Sequence, residues 1–418
     1  MSKGQHTEEE KLKIRESRKA TSLRRQSQVV RCYELKIVEK RLNKTQREEL
    51  DMIFLEGKRF YNFILSEKKK REVPLNLIIP TDFKEVVCLD KDRKEVSFKL
   101  EFLPSHYKQT IHGRMISNEK TIRSLVKKGL QKHGSLKFKS ELNCIPLKNM
   151  DWSFKSVNKV KLMGVTGKIL VRGVDQIPKG CEFANANLLK KPDGFYLKVT
   201  CYQNKEDVEE QETNGKEIGL DFGIKTNITT SEGEKLDVSV QESDRLKMLQ
   251  REMQRRVKGS KNRNKTIKLI QRAYQKLSNK KTNQANQIIH KLRQYNKIVM
   301  QDEQLSKWHQ EKGMSKVVQH SCMGLVKAKL VQLPQVVVLD KLIPTTKWCP
   351  KCGKKNEMPL EKRTYECECG YHEDRDVHAA RNMLEIGRLV PPEQREVTLT
   401  DWNCIVLGRS EKIIPFKV

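Results

Sequence analysis

The sequence predicts a multidomain α+β protein: an N-terminal β-barrel interrupted by helices, then an α/β domain that carries a metal-binding knot. Three observations predict it. Short β-branched runs separated by Gly, Pro and Asn turns occupy Asp151 to Tyr202. After residue 214, apolar runs alternate with helical patterns. Four of the eleven cysteines cluster between Cys349 and Cys369, and 418 residues suffice for two or three separate cores.

Charge narrows the partner. Lys and Arg total 84 against 53 Asp and Glu, a net +31, spread over most of the chain. Such a field draws in a polyanion by releasing its counterions, which points to nucleic acid. No apolar run reaches the roughly 18 residues that span a bilayer, so no membrane partner is expected. The first 28 residues lack the apolar h-region of a secretory signal. The odd cysteine count, with seven scattered singly, fits a reducing cytosol.

Residues 1–28 are charged and nearly free of large apolar side chains, which predicts a disordered basic arm. Val29 to Val38 reads as a strand. A helix starts at Asn43 or Thr45, with Leu50, Ile53, Gly57, Tyr61 and Ile64 on one buried face. The pattern from Pro74 to Leu103 is short and broken, and His106 to His133 resumes a helical period. These helical segments form an insert of about 43–140 in a first domain over 29–213, whose strands include KVKLMGV, KILVRGV and GFYLKVTCY.

The acidic, turn-rich KEDVEEQETNGKE reads as a linker, and a new pattern begins with EIGLDFGIK. The second domain, 214–348, contains a helical hairpin over 241–296, built on Leu246, Leu249, Met253 and Val257, then Ile267, Ile270, Tyr274 and Leu277, around a GSKNRN turn. KIVM and VVVLD read as strands, with the helical VVQHSCMGLVKAKL between them. The knot spans 349–370, a further segment with its helix 371–390, and a tail 391–418.

Cys349-x2-Cys352 and Cys367-x-Cys369 offer four thiolates at a spacing that surrounds one tetrahedral Zn2+. Gly353 and Gly370 suit the tight turns of such knuckles. Four cysteines leave no open ligand position, so this zinc is structural. The second pair departs from the commoner C-x2-C.

Three acidic points lie far apart in sequence. Asp221 sits mid-run in GLDFGIK, where a carboxylate needs a partner or a metal. Asp302 and Glu303 follow the KIVM run, and Asp374 and Asp376 follow the knot. Convergence at the strand ends of one sheet suits two Mg2+ ions about 4 Å apart, which activate water and stabilise the leaving oxygen in phosphodiester hydrolysis.

From Gly219 to Asn382 the chain resembles the catalytic half of the TnpB transposon proteins and of the miniature type V CRISPR effectors. GLDFGIKTNITTSEGE, the helix pair ending in IIHKLRQY, QDEQL, VVVLDKLIPTTKWCPKCG and DRDVHAARN carry the resemblance. KRFYNFILSEKK and the barrel strands resemble the N-terminal half less specifically. The resemblance implies a wedge barrel with a helical recognition insert, and an RNase H-like (RuvC) domain with an inserted zinc ribbon.

It also implies that Asp221, Glu303 and Asp376 hold the Mg2+ ions. QDEQL departs from the commoner I-x-x-E-D-L and leaves Asp302 or Glu303 as the second ligand; the E-x-L spacing favours Glu303. The implied activity is RNA-guided DNA cleavage. A guide RNA pairs with one strand of target double-stranded DNA beside a short flanking motif, one protein copy or a homodimer serving one RNA. The setting implied is prokaryotic cytoplasm, at the nucleoid when active. Two other readings stay open: an RNA-guided DNA-binding repressor with weak or lost cleavage, and a guide-independent nuclease or transposase-associated protein. Trp308 and Trp348 are candidates for base stacking or for packing, and Lys258 to Lys268 for tracking phosphates or for a solvated face. His320 is left outside the site.

Overall fold

The computed structural model describes residues 7–89, 94–208, 212–311, 313–359, 361–391 and 393–402. It divides into two compact units, Met1–Glu209 and Glu210–Val418. Among the described residues, no helix is long and apolar enough to cross a membrane.

The first unit opens with a correction. The stretch expected to be disordered is helix α1 (Glu8–Gln26), while residues 1–6 lie outside the described residues. Its cause is local rather than burial. Thr7 and Glu10 form a capping box, three glutamates fill the first turn and Arg24 and Arg25 the last, matching the helix dipole. Its C-terminal end is tied down by Arg25, which meets Glu182 at 2.7 Å and lies 3.5 Å from the centre of the Tyr202 ring.

Strand β1 (Gln28–Ile37), helix α2 (Lys44–Arg71), strands β2 (Glu85–Leu89) and β3 (Glu95–Lys99), and helix α3 (Ser105–Lys127) follow. Then come β4 (Cys144–Leu147), β5 (Trp152–Ser156), β6 (Lys159–Leu162), β7 (Ile169–Arg172), β8 (Glu182–Lys191) and β9 (Gly194–Asn204). Seven of these strands form one antiparallel sheet in the order β4-β8-β9-β1-β7-β6-β5. The sheet curls towards closure: the indole of Trp152, on edge strand β5, donates to the Ala184 carbonyl of β8 at 3.3 Å.

Asn43 caps α2 through a capping box with Gln46, and Leu50, Ile53, Gly57, Tyr61 and Ile64 are all buried. Leu35, Leu197 and Val199 of the sheet join Phe60 of α2 and Tyr107 of α3 in a single core. Glu56 of α2, 1% exposed, accepts from the amides of Glu101, Phe102 and Leu103 and so pins the entrance to α3.

The second unit contains β10 (Glu217–Phe222), β11 (Ile228–Thr230), β12 (Lys235–Leu236), helices α4 (Asp244–Arg255) and α5 (Lys261–Leu292), and β13 (Lys297–Gln301). It continues with α6 (Leu305–Trp308), α7 (Ser315–Gln319), α8 (Met323–Leu330), β14 (Val336–Leu339), β15 (Thr364–Glu366), β16 (His372–Asp374), α9 (Arg375–Arg388) and β17 (Glu396–Val397). Its six-stranded sheet runs β12-β11-β10-β13-β14-β17. The first three strands pair antiparallel, whereas β10, β13, β14 and β17 run parallel.

Alternation places the two faces of this sheet in different cores. Ile218, Leu220, Ile298, Met300 and Val336 pack with residues of α5 and α8. Val299, Val337 and Leu339 pack with Ala379, Met383, Leu384 and Ile386 of α9. Burial on both faces is why these strands read as continuous apolar runs.

Three details depart from expectation. Val257 lies beyond the end of α4 and is 77% exposed. The helix read across VVQHSCMGLVKAKL breaks into α7 and α8 because Ser321 bridges to Ser239 and the Cys322 amide bonds to the Val238 carbonyl at 2.9 Å. The tail supplies β17 as a parallel edge strand on β14; residues 403–418 of it lie outside the described residues.

Candidate metal centre and carboxylate site

The four cysteines form two hairpin knuckles. The Gly353 amide donates to Cys349 O and the Gly370 amide to Cys367 O, each at 2.9 Å. Both glycines have φ in the left-handed region, 73° and 83°, where a side chain would be strained. The sulfurs of Cys349 and Cys369, and of Cys352 and Cys367, stand 3.5 Å apart, and all four lie within 4.8 Å of one another. A tetrahedral Zn2+ with bonds near 2.3 Å requires sulfur separations of about 3.8 Å, so the set fits zinc. The narrowed C-x-C loop is accommodated. Burial pushes the Cys349 thiol up to about 12, while the Cys369 amide, donating to Cys367, holds that thiol down at about 6.

The knot leads directly into α9. Strands β15 and β16 pair with Glu366 opposite His372, and β16 ends where α9 begins. Asp374 caps α9 by accepting from the amides of Asp376 and Val377, and it meets Lys235 at 3.1 Å. Asp376 therefore sits in the first turn. One turn in, His378 stacks on Tyr365 of the knot at 3.8 Å between ring centres. Asn382 donates to the carbonyls of Thr345 and Trp348 at 2.7 and 2.8 Å and bonds to His378. Burial drives His378 down to about 4, so the stack is between neutral rings at neutral pH. Spacing reasoning missed His378, Tyr365 and Asn382; the signal available was the V-H-A-A-R-N segment itself.

Asp221 lies on β10, on the same face as Gly219, which is the face covered by α9. At Gly219 an added Cβ would lie 1.9 Å from the Ala380 carbonyl oxygen, and at Gly387 one would lie 2.3 Å from Val299 Cγ2. These two glycines let α9 lie directly on the sheet. Glu303 follows the end of β13, the parallel neighbour of β10, and thus belongs to the same end of the sheet as Asp221.

Asp221 is half-buried, and its carboxyl is held well above the ordinary carboxylate range by burial first, then by the charges of Asp376 and Glu303. Burial likewise raises Glu303, against the pull of Lys327. Asp302 is exposed and ion-paired with Lys327 at 2.6 Å. The structure thus brings Asp376 and Glu303 within electrostatic reach of Asp221 and turns Asp302 towards a lysine. Among the described residues, the thiolates are the set whose donor atoms converge most tightly; the carboxylates do not form a comparable group. Trp348 is half-buried and packs edge-on against Trp402 at 6.1 Å, and Trp308 packs against the sheet core. Both serve packing.

Fold and site together describe an α/β unit in which a four-cysteine knot delivers a carboxylate-bearing helix onto a mixed sheet. Two segments match known families: residues 326–383 the "Cas12f1-like, TNB domain" and residues 199–307 the OrfB_IS605 family, "Probable transposase". A "Putative RNA-guided DNA endonuclease" of Streptomyces pristinaespiralis is 25% identical over 52% of this chain and 56% of its own length. The chain therefore spans little more than half of that relative. The "TnpB-like protein L79" of Acanthamoeba polyphaga mimivirus is 50% identical over 44 residues, 10% of this chain and 8% of its own. A solved Cas12f1-sgRNA-target DNA complex aligns at 12% identity with a TM-score of 0.49, covering 85% of this chain and 99% of that one. By these sequence matches the chain is similar to the TnpB and Cas12f-like proteins over residues 199–307 and 326–383.

Proposed function

We propose that this protein is an RNA-guided DNA endonuclease whose second unit is an RNase H-like (RuvC) nuclease domain and whose first unit is the wedge and recognition lobe. One observation supports the reading: the charges of Glu303, just past a strand end, and of Asp376, at a helix start, both act on Asp221 of β10 although the three are separated by most of the unit in sequence. The order β12-β11-β10-β13-β14, three antiparallel strands followed by parallel ones, supports the RNase H-like assignment.

The donor set fits Mg2+, since a carboxylate whose proton affinity is raised by burial and by the charges of two further carboxylates favours a divalent cation beside it. Bound there, Mg2+ supplies activation of water and charge neutralisation at the phosphate. The chain's own residues hold the geometry. β10 fixes Asp221, the N-terminal turn of α9 fixes Asp376, and the Tyr365–His378 stack with the Asn382 bonds fixes α9 to the zinc knot. Lys327 holds Asp302 and the Glu303 carbonyl, leaving the Glu303 carboxylate to the site. The net charge of +31 supports nucleic-acid partners, with base pairing by a guide RNA supplying specificity.

The test is cleavage of a target duplex by the protein loaded with the RNA that co-purifies with it. Asp221→Ala abolishes Mg2+-dependent cutting and spares RNA-guided binding. Cutting that survives RNase treatment of the purified protein overturns the guided reading, and binding without cutting by the wild type overturns the nuclease.

A further inference from the structure

The first unit contains a cleft that the nuclease reading does not use. It lies between α2 and α3, is crossed by the segment 135–139, and has a volume of about 380 Å³. Its position is fixed by reciprocal bonds between Asn62 and Lys139: the Asn62 amide donates to the Lys139 carbonyl at 2.9 Å, and the Lys139 amide donates back at 2.8 Å. Tyr61 and Leu136 form its buried floor, and Asn118, Thr121 and Ser135 add neutral polar groups at the rim.

Phe138 is anomalous in this setting. It is 54% exposed on a segment whose neighbours Leu136 and Lys139 are held against the unit. The Lys69 ammonium stands 4.7 Å from its ring centre, and Lys137 and Lys139 flank it in sequence. Among the described residues, no carboxylate lines the cleft. The nearest acid along α3, Glu119, is already matched by Lys68 and Arg123, each at 2.7 Å. An exposed aromatic face, surplus cations and small hydrogen-bonding groups in one cleft match the three parts of a nucleotide: base, phosphate and sugar hydroxyls.

We infer that this cleft captures one unpaired ribonucleotide, its base stacked on Phe138, its phosphate met by Lys137 and Lys69, and its edge and 2′-hydroxyl met by Asn118, Thr121 and Ser135. The site deepens the proposed function by giving the RNA partner a specific foothold on the first unit. It takes an unpaired residue because a base inside a helix has both faces stacked on neighbouring pairs and its edge already hydrogen-bonded.

The experiment uses the full chain stripped of co-purifying RNA and a fluorescein-labelled oligouridine, read by fluorescence anisotropy. Phe138→Ala weakens binding by about 5- to 150-fold, the range that follows from loss of one base–aromatic stack, while Phe138→Trp preserves it. Lys137→Gln lowers the slope of log affinity against log salt by about 0.7, one phosphate contact on a single strand. With 5-iodouridine in the probe, the photocrosslink maps to the peptide containing Phe138. Unchanged affinity in Phe138→Ala with an unchanged melting temperature overturns the inference. Equal affinity and equal Phe138 dependence for oligothymidine overturns the choice of RNA. Guided cleavage by the wild type is measured on the same preparation. Absent cutting with intact Phe138 dependence removes the nuclease reading and leaves this one, whereas intact cutting with no Phe138 dependence does the reverse.

Discussion

Gly219→Ala tests whether the seating of α9 on the sheet sets the carboxylate site. The new methyl would start 1.9 Å from the Ala380 carbonyl oxygen, 2.9 Å from its carbon and 3.2 Å from Leu384 Cβ. Two of these atoms are backbone, so no rotamer change relieves the clash. Restoring an ordinary 3.4 Å contact requires α9 to retreat by about 1.5 Å. Ala380 is one turn from Asp376, so the retreat carries Asp376 away from Asp221, and a misplacement of about 1 Å costs roughly 100-fold in rate. Overpacking of this kind destabilises by about 1–3 kcal/mol, which lowers the melting temperature by roughly 2–12 °C for a unit of this size. Guided cleavage under saturating Mg2+ and thermal melting read the two effects. Gly324→Ala in α8 is the control: nothing lies within 4 Å of its added Cβ, so rate and stability should hold. A Gly219→Ala protein that cuts within threefold of wild type would refute the reasoning.

Three further outcomes follow from the same geometry. Because the folded-state proton affinity of Asp221 is raised well above the ordinary carboxyl value of 3.8, its ionisation opposes folding: stability declines as pH rises from about 4 through the folded pKa. Asp221→Asn removes that penalty, so its melting temperature without divalent ions should exceed wild type by a margin that widens with pH, while cutting is lost; a margin that stays constant or narrows contradicts the assigned environment. Cys349→Ser should reduce bound zinc from one per chain to near zero by atomic absorption and cut guided cleavage by more than about 100-fold through loss of α9 seating. RNA affinity should move far less, and equal losses of both would contradict a role confined to the second unit. Glu56→Ala strips three amides of their acceptor and should destabilise the first unit by about 3 kcal/mol; denaturant melts measure it, and Glu56→Gln, which keeps one oxygen acceptor, should lose less.

Some of this was legible from the linear sequence because its causes are local or periodic. The Asn43 cap and the Leu50–Ile64 face announce α2, the β-branched runs of β9 and β14 announce strands, and the cysteine spacing announces a four-thiolate knot. Helix α1 was misjudged, since composition measures the burial a segment can achieve and says little about a capping box and a tethered end. The break between α7 and α8 escaped notice because it comes from a bridge to Ser239, far away in the chain.

The linear sequence by itself determined which residue types are available: four thiolates in a chelating spacing, three acidic points and an excess of cations. Only the tertiary structure decided which acids meet. Asp302 and Glu303 are adjacent and chemically alike, yet Lys327 takes Asp302 while the charge of Glu303 acts on Asp221. The height of α9 depends on two missing side chains, at Gly219 and Gly387, and on a histidine stacked against a tyrosine of the knot. These are through-space facts, set by which strand lies beside which and how closely a helix approaches a sheet, and short-range periodicity carries no record of either.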